Sequence, residues 1–229
     1  MKFTTLALAL VCAPLVACAA DETKTTQEES KAVPIFDGKT LNGWKKVGGS
    51  GEFKVEDGCI VGFGKNVRGN TFLRTVKEYG DFEFTYEFKF DDLTGNSGLM
   101  FRAAQKPGEN GRVFGYQCEG DNTKRGWSAG LFDEARRGWL FPVKNGDEHK
   151  FHREWFSAEG NRVFKFDGWN TFKIRCKGNH IQTWLNGVKR VDFVDTDKEN
   201  DTRKGFFGLQ VHGGKSCNVR WRKLVIREL

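Results

Sequence analysis

No part of this sequence is both apolar and long enough to cross a bilayer as a helix, because the run from Leu6 to Val16 falls short of the roughly 20 residues a span needs. A membrane-spanning helix is therefore excluded. Cysteine never occurs in the paired C-x-x-C spacing of zinc sites. Basic residues are scattered among aromatics and acids rather than gathered into a run, although Lys and Arg total 37 against 30 acids, for a net charge of +7. That pattern argues against a nucleic-acid tail. A helical period of 3.6 residues is missing as well, apart from a short turn over Asp147 to Phe156, and no internal repeat is visible. Proline is scarce, at 4, beside 28 glycines that often sit at the ends of short alternating segments. Tight turns between strands follow, and a helical bundle is disfavoured.

What is present is aromatic. Twenty-one Phe, with Trp and Tyr, bring aromatics to 14% of 229 residues, enough to build one core despite 29% charge. The chain opens with Lys2 and the apolar run, the order of a secretory signal. Leu15-Val16-Ala17-Cys18 also has the order of a bacterial lipobox, in which Cys18 is lipidated; Ala17-Cys18-Ala19 fits ordinary cleavage too. The expected organisation is a lipoprotein signal peptide over 1–18, a flexible tether over 19–32 and one domain over 33–229, in an exported protein of the periplasm or outer membrane. Contact with a membrane is then through the N-terminal lipid alone. Of the remaining cysteines, Cys59, Cys118, Cys176 and Cys217, the second and third alternate in phase with apolar neighbours and read as buried thiols.

Asp81 to Phe90 is the clearest strand, with Phe82, Phe84, Tyr86, Phe88 and Phe90 on one face and charged or polar residues on the other. The same period recurs in Gly98 to Ala103, Val113 to Glu119, Thr171 to Lys177, His180 to Leu185, Phe206 to His212 and Val219 to Ile226. Asn186-Gly187 is a two-residue hairpin signal, since both residues tolerate positive φ. The fold class is all-β, a two-sheet antiparallel sandwich. Strand phase then sorts the polar residues. Phe207, Leu209 and Val211 take the core side and send Gln210 and His212 outward; Tyr116 and Cys118 do the same for Gln117 and Glu119; Leu99, Phe101 and Ala103 do so for Arg102. On one sheet these five would form a polar groove of ligand size, with His212 beside Gly213-Gly214 as the leading catalytic candidate.

The block Phe36-Asp37-Gly38-Lys39-Thr40-Leu41-Asn42-Gly43-Trp44 resembles the opening of the 3-keto-disaccharide hydrolase domain family. Asn96-Ser97-Gly98 through Phe101-Arg102, Gly115-Tyr116-Gln117, Asp133-Glu134 through Arg136-Arg137-Gly138, Trp169-Asn170, Asn186-Gly187 and Gly208-Leu209-Gln210-Val211-His212 follow in the family's order. The resemblance covers Val33 to Leu229; Glu119 stands where relatives often carry Asp. It implies a jelly roll of the concanavalin A/laminin G type and cleavage of glycosides already oxidised at C3, which calls for an upstream sugar 3-dehydrogenase. A C3 ketone acidifies the C2 hydrogen, so a base removes it and the C1 oxygen leaves by elimination. His212 or Glu119 then supplies the base, and Arg102 or Arg137 steadies the enolate. Gln117, Asp133, Arg137, Trp184 and Gln210 are the expected substrate contacts, Trp184 by stacking in preference to Trp127 and Trp139. A non-catalytic carbohydrate-binding jelly roll is the alternative.

The string Glu-x-Asp-x-x-Glu, which supplies acid and nucleophile for direct hydrolysis in jelly-roll glucanases, does not occur. Glu148, His149, His152 and Glu154 match no zinc spacing and read as an exposed loop, while Asp91, Asp92 and Asn96 read as a turn. No cofactor is named by the sequence, with a divalent metal left open. The lipobox gives a direct expectation: wild-type protein incorporates labelled fatty acid and sediments with membranes, and Cys18→Ser releases it. A wild type that never takes up the label contradicts this reading.

Overall fold

The structure, a computed structural model, describes Met1 and residues 30–92, 95–108 and 110–229. The expected signal segment 1–18, Cys18 and nearly all of the tether 19–32 lie outside the described residues. Alternating burial builds two antiparallel sheets. One contains β1 (Val33–Pro34), β3 (Glu52–Glu56), β4 (Cys59–Val67), β6 (Phe82–Phe90), β11 (Asn170–Lys177), β12 (His180–Leu185), β13 (Val188–Val194) and β15 (Gly214–Glu228). Its order is β13-β12-β11-β6-β15-β4-β3, with β1 also paired to β15. The other contains β2 (Trp44–Gly48), β5 (Thr71–Thr75), β7 (Ser97–Gln105), β8 (Val113–Gly120), β9 (Leu131–Glu134), β10 (Gly138–Phe141) and β14 (Phe206–Val211), in the order β10-β9-β8-β7-β14-β5-β2. The result is the two-sheet antiparallel sandwich that the alternation predicts, and the jelly roll that the resemblance implies.

Aromatic packing joins the sheets. All five apolar residues of β6 are buried, and Phe207 of β14 meets Phe84 stacked at 4.3 Å and Phe82 edge-on at 4.8 Å. On the opposite face of β6, Glu83 pairs with Arg227 and Glu87 with Arg222, so the strand's charges are matched across neighbouring strands. Asn186 and Gly187 join β12 to β13 with φ of 49° and 86°, the hairpin the dipeptide predicts. Cys59, Cys118, Cys176 and Cys217 are free and buried, and burial pushes the Cys118 and Cys176 thiols up to about 12.

Two expectations change. The turn expected over Asp147 to Phe156 is a short 3₁₀ segment, Asp147–His149, followed by helix α1, Lys150–Val163. Only Phe156 and Gly160 of α1 are buried, which leaves no apolar stripe to read in the sequence. Arg102 does not point to the outer face of its sheet. Its φ is +46°, and the β7–β8 register shifts between Phe101 and Ala104, so this residue breaks the two-residue alternation. Its buried guanidinium donates to Gly80 O at 2.9 Å and Gly178 O at 2.6 Å and pairs with Asp81 at 2.7 Å. Arg102 thus ties β7 to the start of β6 and the β11–β12 turn of the facing sheet.

Candidate functional site

Four strands project residues from one face of the seven-stranded sheet. With Leu99 and Phe101 buried in the core, Gly98 faces outward on β7; on β8 the outward residues are Gln117 and Glu119. On β9, Leu131 and Asp133 turn inward, leaving Phe132 and Glu134 outside. Gln210 leaves β14 on the same side, and His212 follows at the strand end. Gly98 is required here, because a Cβ would lie 2.8 Å from Cδ of Gln117 and displace its amide. Gln117, Glu119, Glu134, Gln210 and His212 thereby line one cleft of about 200 Å³, joined by Asn96, Arg125, Phe132 and Trp139.

Arg125 comes from the loop between β8 and β9, and Asp121 sets that loop. The buried Asp121 carboxylate accepts from Thr123 N (2.9 Å), Thr123 Oγ1 (2.7 Å), Trp127 N (3.0 Å) and Arg125 Nε (2.7 Å). Arg125 NH2 then reaches Glu119 at 2.8 Å, and the guanidinium carbon lies 5.0 Å from the rings of both Trp127 and Trp139. From behind, Arg190 donates to Gly126 O at 3.0 Å and to Phe156 O of α1 at 2.7 Å. Burial pulls Arg190 down to about 10, against the opposing pull of the Glu159 carboxylate. Gly160 admits this contact, since a Cβ there would collide with Gly126 O.

The titratable groups of the cleft differ in state. Glu119 accepts from Asn96 at 3.0 Å, Gln117 at 2.8 Å and Arg125, so both its oxygens are occupied. Burial raises its pKa, and Asn96 and Arg125 oppose the rise. Burial raises Glu134 as well, against Arg112, the neighbouring His212 and a hydrogen bond from the Asn70 amide. His212 Nδ1 lies 2.6 Å from Gly213 O. A carbonyl only accepts, so Nδ1 carries a proton and Nε2 is the basic nitrogen of the neutral ring. Both amide atoms of the fully buried Gln210, and Oε1 of Gln117, have no hydrogen-bond partner within the protein. Unmet groups of this kind cost about 1–3 kcal/mol each, which a hydroxyl-bearing ligand offsets.

His212, Glu119, Gln117 and Gln210 therefore come together as strand phase predicts. Arg102, Asp133, Arg137 and Trp184 do not. Asp133 is buried on the inner face of β9, where it pairs with Arg136 at 2.7 Å and Arg137 at 2.5 Å. Arg137 continues to Asp195 at 2.8 Å and Asp197 at 3.2 Å, a cross-link between segments and not a ligand contact. Trp184 stands on the outer face of the other sheet, 4.9 Å from Lys173 Nζ; Trp139 is the tryptophan at the cleft. Glu134 was legible in phase with Phe132 but masked by its neighbour Asp133. Arg125 has no periodic signal at all. Among the described residues no three His, Cys, Asp or Glu side chains are grouped to hold a metal ion. The segment of Glu148, His149, His152 and Glu154 is helical, and Asp91 is held by Lys89 and Arg220.

A polar cleft with aromatic walls on one sheet of a jelly roll defines a carbohydrate-type site. The chain belongs to the 3-keto-alpha-glucoside-1,2-lyase-like domain family, whose match spans residues 31–227. In structure it is similar to a candidate glycosyl hydrolase from Parabacteroides distasonis, with a TM-score of 0.57 and 20% identity over 86% of this chain and 94% of that one. It is similar also to the carbohydrate-binding module CBM66 from Bacillus subtilis (0.54, 15% identity, 81% and 96%). A protein of galectin-like fold from Bacillus subtilis gives 0.56 at 12% identity, covering 86% and 94%. These likenesses bear on the fold. No curated protein matches the chain.

Because burial raises both cleft glutamates, their carboxyl carbons should titrate above the ordinary value of about 4.3 in an NMR titration. Arg125→Gln should move Glu119 further up, since the removed charge favours the ionised form. Titration of both below the ordinary value, or a fall in the variant, contradicts the geometry.

Proposed function

We propose that this protein cleaves glycosides already oxidised to a ketone at C3, by elimination across C2 and C1. One observation carries the reading: a free imidazole nitrogen, a carboxyl with raised pKa, a cation and unpartnered amides share one ring-sized cleft. Proton removal beside a ketone needs a base, and His212 Nε2 is preferable to Glu119, whose oxygens already accept three donors. The C2–H pair becomes an enolate, with charge on the C3 oxygen for which Arg125 is the cation of the cleft. Collapse of the enolate breaks C1–O, and the departing oxygen takes a proton from Glu134. A raised pKa suits that acid role. Water added afterwards at C1 would complete a net hydrolysis. Gln117 and Gln210 hold sugar hydroxyls, and Glu119 with Asp121 fixes Arg125.

The family membership and the likeness to a candidate glycosyl hydrolase support this reading. A dehydrogenase acting on the C3 hydroxyl would supply the substrate, and export as a lipoprotein would bring the enzyme to it. A non-catalytic sugar-binding module is the second reading, favoured by Trp139 and Phe132 in the cleft and the likeness to a carbohydrate-binding module.

Incubation with 3-keto-disaccharides beside their unoxidised parents separates the two. Cleavage of the oxidised substrates alone is expected, with His212→Ala slower by about two to four orders of magnitude. Arg102→Met serves as a control: it should lower stability by about 1–3 kcal/mol, because the Gly80 and Gly178 carbonyls lose their donor, while turnover per folded molecule persists. Binding without cleavage would favour the second reading, and normal turnover of His212→Ala would overturn the assigned base.

A further inference from the structure

The cleft opens on two sides into spaces of unlike chemistry. On the His212 and Arg125 side lies a space of about 420 Å³ walled by the polar side chains of Asp121, Asn122, Thr123, Lys215 and Ser216. On the Glu134 side lies a larger one of about 590 Å³, walled by Gly48, Gly49, Gly69, Phe72 and Val113, with Arg112 at its rim. The second wall carries more carbon than the first, in glycine methylenes, Phe72 and Val113, with Asn70, Asn110 and Glu134 as its polar side chains and part of its backbone, with the turns flanking it, already paired. Gly49 N donates to Asn70 O at 3.0 Å, Ser50 N to Arg68 O at 3.1 Å, Arg68 N to Ser50 Oγ at 2.8 Å, and Gly213 N to Asn70 Oδ1 at 3.0 Å.

Glycine is obligatory in this seam. A Cβ on Gly49 would sit 2.2 Å from Gly69 O, and one on Gly48, at φ +87°, would sit 2.6 Å from Asn70 O. What the seam and the side chains beside it offer a ligand is therefore mainly flat carbon surface. Beneath it Phe72 and Val113 belong to a separate apolar cluster with Val47, Met100, Ala103 and Phe206 on the outer face of the sheet. Arg112 is 69% exposed and lies 4.0 Å from Glu134, so its planar guanidinium is free to cover a ring at the entrance.

We propose that this glycine-walled cavity is the leaving-group subsite and that it takes a flat, apolar aglycone, of the aryl or arylalkyl class, in preference to a second sugar. The placement rests on the reading above, in which Glu134 protonates the departing oxygen: the cavity adjoining Glu134 is where that group must lie. The chemical class comes from the wall itself. A sugar ring there would bury several of its hydroxyls against carbon, whereas a planar apolar ring loses no hydrogen bond. Asn70 couples the subsite to the chemistry, since its Oδ1 anchors the seam through Gly213 while its amide holds Glu134.

The test uses benzyl leaving groups, because a benzyl alkoxide is no better a leaving group than a sugar alkoxide, so a preference for benzyl cannot come from intrinsic reactivity. Methyl-labelled full-length protein is first titrated with unoxidised benzyl glucoside and with methyl glucoside. The Val113 methyl signals should shift with the benzyl compound and not with the methyl one. Turnover is then compared for benzyl 3-keto-glucoside and a 3-keto-disaccharide: kcat/KM should favour the benzyl substrate about tenfold or more, and Val113→Thr, which keeps the volume and adds a hydroxyl, should reduce that ratio several-fold. Equal or reversed preference, or Val113 signals that respond to neither glucoside, overturns the inference. If neither oxidised substrate is cleaved the 3-keto reading fails, and the methyl titration decides the subsite by itself.

Discussion

The stacking of Phe207 on Phe84 fixes the phase of β14, and the cleft depends on that phase. Once Phe207, Leu209 and Val211 are committed to the aromatic core, Gln210 has one direction left, and the chain reaches His212 on the outer side of the sheet. Tyr116 and Cys118 impose the same rule on β8 and deliver Gln117 and Glu119 beside them. A slip of one residue in either strand would bury the polar set and expose the apolar one, so hydrophobic burial supplies the precision of a polar site. The site itself adds little to stability. Its unpartnered amides are a cost that the core offsets.

Within the cleft, neighbours give two chemically similar carboxylates different work. Glu119 is saturated by amide and guanidinium donors and acts as an anchor for Arg125. Glu134, raised by burial against Asn70, Arg112 and His212, has no such set of donors and is the carboxyl to which the proposed acid role falls. Arg125 in turn is aimed by Asp121 and backed by a loop that Arg190 clamps to α1. The helical insertion thus has a function in the sandwich: it supports the loop that brings Arg125 to the sheet face.

Much of this was legible in the sequence because strands with one buried face announce their phase. The antiparallel sheets and the convergence of Gln117, Glu119, Gln210 and His212 follow from period two, and the hairpin at Asn186-Gly187 from the dipeptide's tolerance of positive φ. Arg102 failed for a local reason, a left-handed residue at a bulge, which no alternation rule foresees. Asp133 and Arg137 were placed through a resemblance of motif, yet their block serves a buried ion-pair network, and Glu134 beside them faces the cleft. Arg125 was invisible because its position is set by loop hydrogen bonds, and α1 because a helix lying on a sandwich needs only one or two apolar contacts.

The central claim is that the cleft removes the C2 proton of a 3-keto glycoside. Cleavage of a 3-keto-disaccharide carrying deuterium at C2, run in ordinary water and followed by mass spectrometry and NMR of the sugar product, reads that step directly. Loss of the C2 deuterium is the result this account predicts, with the loss abolished in His212→Ala. A product that keeps its C2 deuterium while the glycosidic bond is broken would contradict it.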